Sequence, residues 1–351
     1  MAHTSGRDGQ RPRQRWRGAG VVAVVLALAG AVAVFSVAVF SAAGAPAAHA
    51  DGTHVDLVPF NADVDPSSAL FVGDAIDQAQ MDGAAAVVIE LDTFGGDLAS
   101  METIHEKELG SKVPIIVWVG PSGAHADSAG ALIALGAPIV AMAPGTRIGS
   151  ASPVSATGGN LDSTEQAKTT NALVAQVMGD QSAYGRNATL AIQMVTAASA
   201  FDDQQAIAQN IVNLGASNLN DLLSGVSGET VTLRDGTIVT FALDGLPVQT
   251  IQPTLRDQLY GALLDPNLLF ILFVVAAVCI YLELSHPGAI VPGVVGGIAL
   301  LLFLFGAGSL APNWAGLALM LLAIVLLAVD VRAPTHGVLT LGALISLIVG
   351  T

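Results

Sequence analysis

Along residues 54–225, short continuous apolar runs alternate with stretches whose apolar positions recur every three or four residues. The runs at 54–59, 85–91, 113–119 and 139–141 predict strands, because apolar, β-branched runs of that length bounded by turn residues suit a buried sheet. Residues 67–81 carry Leu70, Val72, Ile76 and Ala79, and residues 98–109 carry Leu98, Met101, Ile104 and Leu109. Both spacings predict helices. A small-residue helix is expected over about 127–135, and further helix over 164–179, 188–198 and 206–223. Repeated strand-then-helix order with near-continuous apolar strands predicts a layered α/β domain with a largely parallel sheet over 51–225. Residues 230–234 and 237–241 flank Asp235-Gly236, a two-residue hairpin signal that places a β-hairpin in a connector over 226–266.

The pattern changes at both ends. Residues 267–351 are almost wholly apolar and read as four transmembrane helices at 268–284, 287–308, 314–329 and 336–351. Gly293 and Gly297 form a G-x-x-x-G pair suited to close helix packing, and Glu283 and His286 mark a membrane edge, where they read as an interfacial turn rather than a proton path. Residues 1–50 begin with Arg7, Arg11, Arg13, Arg15 and Arg17, continue through an uncharged stretch over 18–40, and end in Ala48-His49-Ala50. That is the layout of a signal peptide cut after Ala50, with an uncleaved N-terminal anchor as the alternative. Either way the arginines stay in the cytoplasm, so the body is expected outside it, on a multi-pass protein of the cell membrane.

Composition narrows the functions. The chain of 351 residues is 52% apolar and only 12% charged, which excludes both a disordered and a purely soluble protein. Between Asp51 and Asn267 there are 25 acidic against 7 basic residues, a net of −18. Such a body repels phosphate backbones, so nucleic acid is not an expected partner. The single cysteine, Cys279, lies in an apolar run and allows no intrachain disulfide or thiolate metal cluster. No phosphate loop or dinucleotide fingerprint follows a strand, and His105-Glu106 lacks the second histidine of a zinc-protease helix, so no cofactor or metal is expected.

The chemistry that remains lies in small-residue turns at strand ends, where ligands of open α/β sheets bind. Gly95-Gly96 follows one strand, and Ser128-Ala129-Gly130 follows another at the start of a helix. The N–H of Ala129 and one from Gly95 or Gly96 can together hold a developing oxyanion, with Ser128 as the nucleophile. For its base, His54 and His105 are poorly placed, and His125 reads as a loop residue at the cleft rim while staying within reach. Of the three lysines, Lys107 and Lys112 flank a helix end, whereas Lys168 follows a Ser/Gly-rich loop forty residues after Ser128. Read by itself, Lys168 is a solvated helix lysine. To act as a base its pKa must fall from about 10.4 towards neutrality, which costs about 4 kcal/mol and demands burial in an apolar cleft.

Several pieces of the chain resemble one family: the NfeD-like, membrane-bound serine proteases of the ClpP class encoded beside stomatin-like proteins. They are Leu91-Asp92-Thr93-Phe94-Gly95-Gly96, Gly123 through Gly130, Ala143 through Gly149, Lys168-Thr169-Thr170-Asn171, Gly185 through Thr189, and Glu283 with Pro287-Gly288. The resemblance implies a ClpP/crotonase-like fold, a Ser128–Lys168 dyad and cleavage of hydrophobic peptide segments. It also implies a stomatin-like membrane protein as partner and a homodimer or higher homo-oligomer. Two residues depart from the pattern: Phe94 stands in place of a proline, and Asp127 in place of a small residue, where it either caps the helix or disturbs the nucleophile. These departures motivate an alternative, a non-catalytic membrane scaffold that organises a stomatin-like protein. A third reading, acyl-CoA chemistry, fits paired oxyanion donors but finds no basic nucleotide-binding cluster in an exported body.

Overall fold

The computed structural model describes residues 54–154, 162–285, 290–309, 314–330 and 338–350. The signal or anchor expected over 1–50 lies outside the described residues, as does His286.

The central sheet is parallel throughout and has the order β11-β1-β2-β3-β5-β8, built from β1 (Val55–Asn61), β2 (Ala86–Asp92), β3 (Ile115–Val119), β5 (Ile139–Met142), β8 (Leu214–Gly215) and β11 (Val248–Thr250). Its middle strands are apolar on both faces because both faces are covered. Val87, Ile89 and Leu91 of β2 enter one core with α1 (Pro66–Asp82), α2 (Leu98–Gly110) and α3 (Ala129–Gly136). Its Ala86 and Val88 enter a second core with Trp118, Leu222 and Phe241. Asp65 starts α1 through a reciprocal cap: it accepts the Ser68 N–H at 2.7 Å, and its own N–H donates to Ser68 Oγ at 2.9 Å.

A second, three-stranded sheet of order β4-β6-β7 stands at the carboxyl ends of the main strands: β4 (His125–Asp127), β6 (Arg147–Gly149) and β7 (Ala200–Asp202). The sequence pattern put helix from 127; the structure gives strand to Asp127 and helix only from Ala129. Two further helices, α4 (Ser163–Ala183) and α5 (Ala188–Thr196), cover this end.

The helix expected over 206–223 is broken into α6 (Asp203–Ala208), β8 and α7 (Leu219–Val226). Asn210 turns the chain at φ 54°, and the Asn213 amide oxygen accepts the Val140 N–H at 2.9 Å, so the segment is drawn onto the sheet beside β5. The hairpin is present as β9 (Thr230–Thr232) and β10 (Ile238–Thr240). It covers the second core through Val231, Leu233 and Phe241. With β11 pairing β1, the folded unit runs past residue 225, and the stretch expected as a connector is part of the domain.

After α8 (Leu255–Leu264) come α9 (Pro266–Ser285), α10 (Ile290–Ser309), α11 (Trp314–Asp330) and α12 (Val338–Gly350). Two of them, α9 and α10, are long and apolar enough to cross a bilayer. The pair is joined by a Phe273–Phe303 ring contact at 5.2 Å. Gly293 and Gly296 make the close approach: a Cβ on the first would meet the Glu283 carboxylate at 2.0 Å, and one on the second Cys279 Cβ at 3.0 Å. Gly297, expected to share it, faces open space.

Candidate active site

Ser128 stands between β4 and α3 at φ 55° and ψ −119°, a region an L-residue enters only under constraint. A strand, a serine in a strained turn and then a helix have the geometry of a nucleophile elbow, here without the G-x-S-x-G sequence. The constraint comes from three sides. The Asp127 N–H donates to Thr93 O at 3.1 Å, and the Ser128 N–H to Gly149 O at 2.8 Å. On the third side Gly95 lies so close that an added Cβ would sit 2.6 Å from Ser128 Cβ. Gly130 is needed for the same packing, since a Cβ there would meet Thr93 Cγ2 at 2.4 Å.

The donors can be sorted by what already uses them. The Gly95 N–H, at φ 107°, donates to Thr93 Oγ1 at 3.1 Å. Gly96 bridges Val64, and the two bonds of that bridge are Val64 N–H to Gly95 O and Asp97 N–H to Val64 O, both at 2.8 Å. Neither uses the Gly96 N–H. Among the described residues the N–H groups of Gly96 and Ala129 have no acceptor, and Ala129 N would lie 3.2 Å from a Cβ on Gly95. An unengaged N–H at a helix N-terminus beside a half-buried hydroxyl is the arrangement an oxyanion needs.

Among the described residues the Asp127 carboxylate bonds Arg147 alone, and so neither caps α3 nor meets the Ser128 hydroxyl. Its buried carboxylate is held by Arg147 on the neighbouring strand, with Nε 3.1 Å from both oxygens and a second nitrogen at 2.5 Å. His125 likewise turns from the hydroxyl, with Nδ1 3.2 Å from Asp92 Oδ1. His54 is buried against Asp56 at 3.1 Å.

Lys168 lies in the second turn of α4 and is exposed, on the stripe it shares with Asn171, Ala172 and Ala175, while Leu173 and Val177 face the core. Among the described residues neither the Ser128 hydroxyl nor the Lys168 amine has a hydrogen-bond partner. The structure thus brings Ser128, Ala129, Gly95 and Gly96 together and leaves Lys168 unengaged. The sequence pattern already includes Gly130 in the small-residue turn, while Thr93 and Arg147 lie within the motifs that carry the resemblance and have no role of their own there.

Behind the serine helix lies a buried ionic cluster. Arg186 donates to Leu135 O at 2.7 Å and Ala137 O at 2.9 Å, capping the carboxyl end of α3, and Gln181 of α4 donates to Leu135 O at 3.2 Å. Beside them, His105 Nε2 is 3.5 Å from Asp180 Oδ2, and its Nδ1 is 3.9 Å from Glu108. Arg234 pairs with Asp180. Burial pushes the Glu108 carboxyl up to about 7 against the pull of His105. Burial pulls the His105 imidazole down, but the Glu108 and Asp180 carboxyls more than offset this and leave it above its ordinary value. Asp180 is raised by burial against the pull of His105 and the arginines.

Comparison with known proteins agrees with this architecture. Residues 54–244 match the family model described as NfeD1b, N-terminal domain, and residues 267–351 match the NfeD integral membrane domain. The chain is 34% identical over 274 residues to the membrane-bound protease PH1510 of Pyrococcus horikoshii, covering 78% of this chain and 62% of that protein. Two solved structures of a 1510-N membrane-bound stomatin-specific protease superpose on it, each at 30% identity. A serine-to-alanine mutant gives a TM-score of 0.54, over 58% of this chain and 100% of that one. A lysine-to-alanine mutant in complex with a substrate peptide gives 0.55, over 60% and 97%. With one domain model matched over more than half its length and a membrane model over its C-terminal part, this chain belongs to the NfeD family of membrane proteins.

Proposed function

We propose that the chain is a membrane-anchored serine endopeptidase. The observation that carries this reading is the strained Ser128 elbow beside two unengaged N–H groups. Ser128 Oγ attacks the scissile carbonyl while its proton passes to the neutral Lys168 amine. The oxyanion is held by the N–H groups of Ala129 and Gly96, rather than Gly95, whose N–H is committed to Thr93. Lysine then returns the proton to the leaving amine as the C–N bond breaks, and water releases the acyl group. Because Lys168 is exposed without substrate, it needs covering: an apolar substrate strand laid along the Gly95-Gly96 turn removes water from the amine and favours its neutral form. The relative of known structure is described as stomatin-specific, which supports a hydrophobic segment of a stomatin-like membrane protein as substrate. The further parts of this reading are four membrane crossings, a body outside the cytoplasm and a homo-oligomeric assembly.

The test is cleavage of an apolar peptide by the detergent-solubilised full chain. Ser128→Ala and Lys168→Ala are each expected to lower kcat at least about a thousandfold. Undiminished cleavage in either removes the dyad. The exposure of Lys168 favours a second reading, a scaffold that organises a stomatin-like partner. It requires Ser128→Ala to leave binding of that partner intact while no cleavage is found in the parent chain.

A further inference from the structure

The turn that supplies Gly95 and Gly96 also carries Phe94, an aromatic side chain left 67% exposed. Its ring is not loose. It stacks on the His125 ring with centroids 4.7 Å apart and planes 26° apart. His125 is itself pinned: Asp92 Oδ1 lies 3.2 Å from its Nδ1 and accepts its backbone N–H at 2.9 Å. The two segments are joined by the Thr93–Ala126 bridge, with Thr93 N–H to His125 O at 2.7 Å. Both lead directly to the nucleophile. Phe94 precedes the glycine packed against Ser128 Cβ, and His125 lies three residues before the serine on β4.

An aromatic residue this exposed contributes little to the core, so core packing does not account for it. What it offers is a flat apolar face, held in one orientation by a ring that a carboxylate fixes. Such a face binds a second planar side chain in offset or edge-on geometry, and its rigidity reduces the ordering that binding requires.

We propose that the Phe94–His125 stack is a specificity wall of the active site, selecting peptides with an aromatic side chain next to the scissile bond. This rests on the peptidase reading and deepens it. Asp92 and His125 act as positioning residues, setting the ring that substrate meets.

The test compares kcat/KM for two peptides that differ only in having Phe or Ala beside the scissile bond, using the detergent-solubilised full chain. The parent is expected to prefer Phe. Phe94→Ala is expected to reduce the Phe:Ala ratio about tenfold, mainly through KM, as loss of the apolar contact with the substrate ring implies. Phe94→Trp is expected to keep the preference, and His125→Ala, which frees the ring, to reduce it in part. An unchanged ratio in Phe94→Ala overturns the proposal, as does equal loss on both peptides, which marks a disturbed Gly95 turn instead. Failure of the peptidase reading is seen separately, as cleavage that survives Ser128→Ala or as no cleavage of either peptide by the parent chain, and the latter overturns the wall together with it.

Discussion

Ser128 and Gly95 meet back to back, and each backbone is held where ordinary residues avoid going, at φ 55° and φ 107°. Gly95 can be there because it lacks a side chain. Gly95→Ala adds a Cβ 2.6 Å from Ser128 Cβ at a positive φ, so the serine turn must move. The expected result is at least a hundredfold slower labelling of Ser128 by a fluorophosphonate, with about 1–3 kcal/mol lost from stability. Labelling at the parent rate would mean that the Gly95 turn does not set the nucleophile. At this scale the sequence was partly legible. Small residues at two strand ends pointed to Ser128, Ala129 and the glycine pair. Which glycine keeps a free N–H depends on a local hydrogen bond to the Thr93 hydroxyl, two residues away, whose geometry no hydrophobic pattern records. The exposure of Lys168 agrees with the plain reading of a solvated helix lysine.

Among the elements, the long strands and helices were readable because a seven-residue strand with five apolar residues such as β2, or helical recurrence along the seventeen-residue α1, leaves few alternatives. The three-residue strands β4, β6 and β7 were not, since three residues hold no period, although they hold the serine. The ionic cluster between α2, α3 and α4 was equally hidden, because its members lie up to 129 positions apart, from His105 to Arg234. It has a testable consequence. Glu108, His105 and Asp180 all bind protons more tightly in the folded protein than in the unfolded chain. Their stabilisation is therefore fully present below the unfolded pKa values and is lost as pH rises through the folded ones. For Glu108 that window runs from 4.5 to about 7, worth about 3 kcal/mol. Thermal unfolding of the solubilised chain should thus move to lower temperature between pH 5 and pH 8. Glu108→Gln should flatten that decline; profiles of the two proteins that run parallel would exclude Glu108 as its source.

In the whole molecule, α8 is the element that meets both halves. Its Arg256 pairs with Asp74 of α1, and the Asp257 carbonyl accepts from Ser67 Oγ at 3.4 Å. On its other side Tyr260 lies 6.2 Å from Phe305, and Leu263 O would be 2.3 Å from a Cβ on Gly306 of α10. Only Asp265 separates α8 from α9, and its carboxylate accepts the N–H groups of Asn267 at 2.7 Å and Leu268 at 3.2 Å, capping the membrane helix. The join has no slack. On the peptidase reading proposed above, α8 is expected to work as a depth gauge, keeping the Ser128 elbow at one height over the bilayer so that a lipid-embedded substrate is cut only where its backbone emerges at that height. Six Gly/Ser residues inserted after Asp265 would loosen the gauge by about 13 Å. Cleavage of a bilayer-anchored substrate should then scatter along its sequence while a free peptide is still cut at one bond, and a single unmoved cut in both would show that height plays no part in the choice.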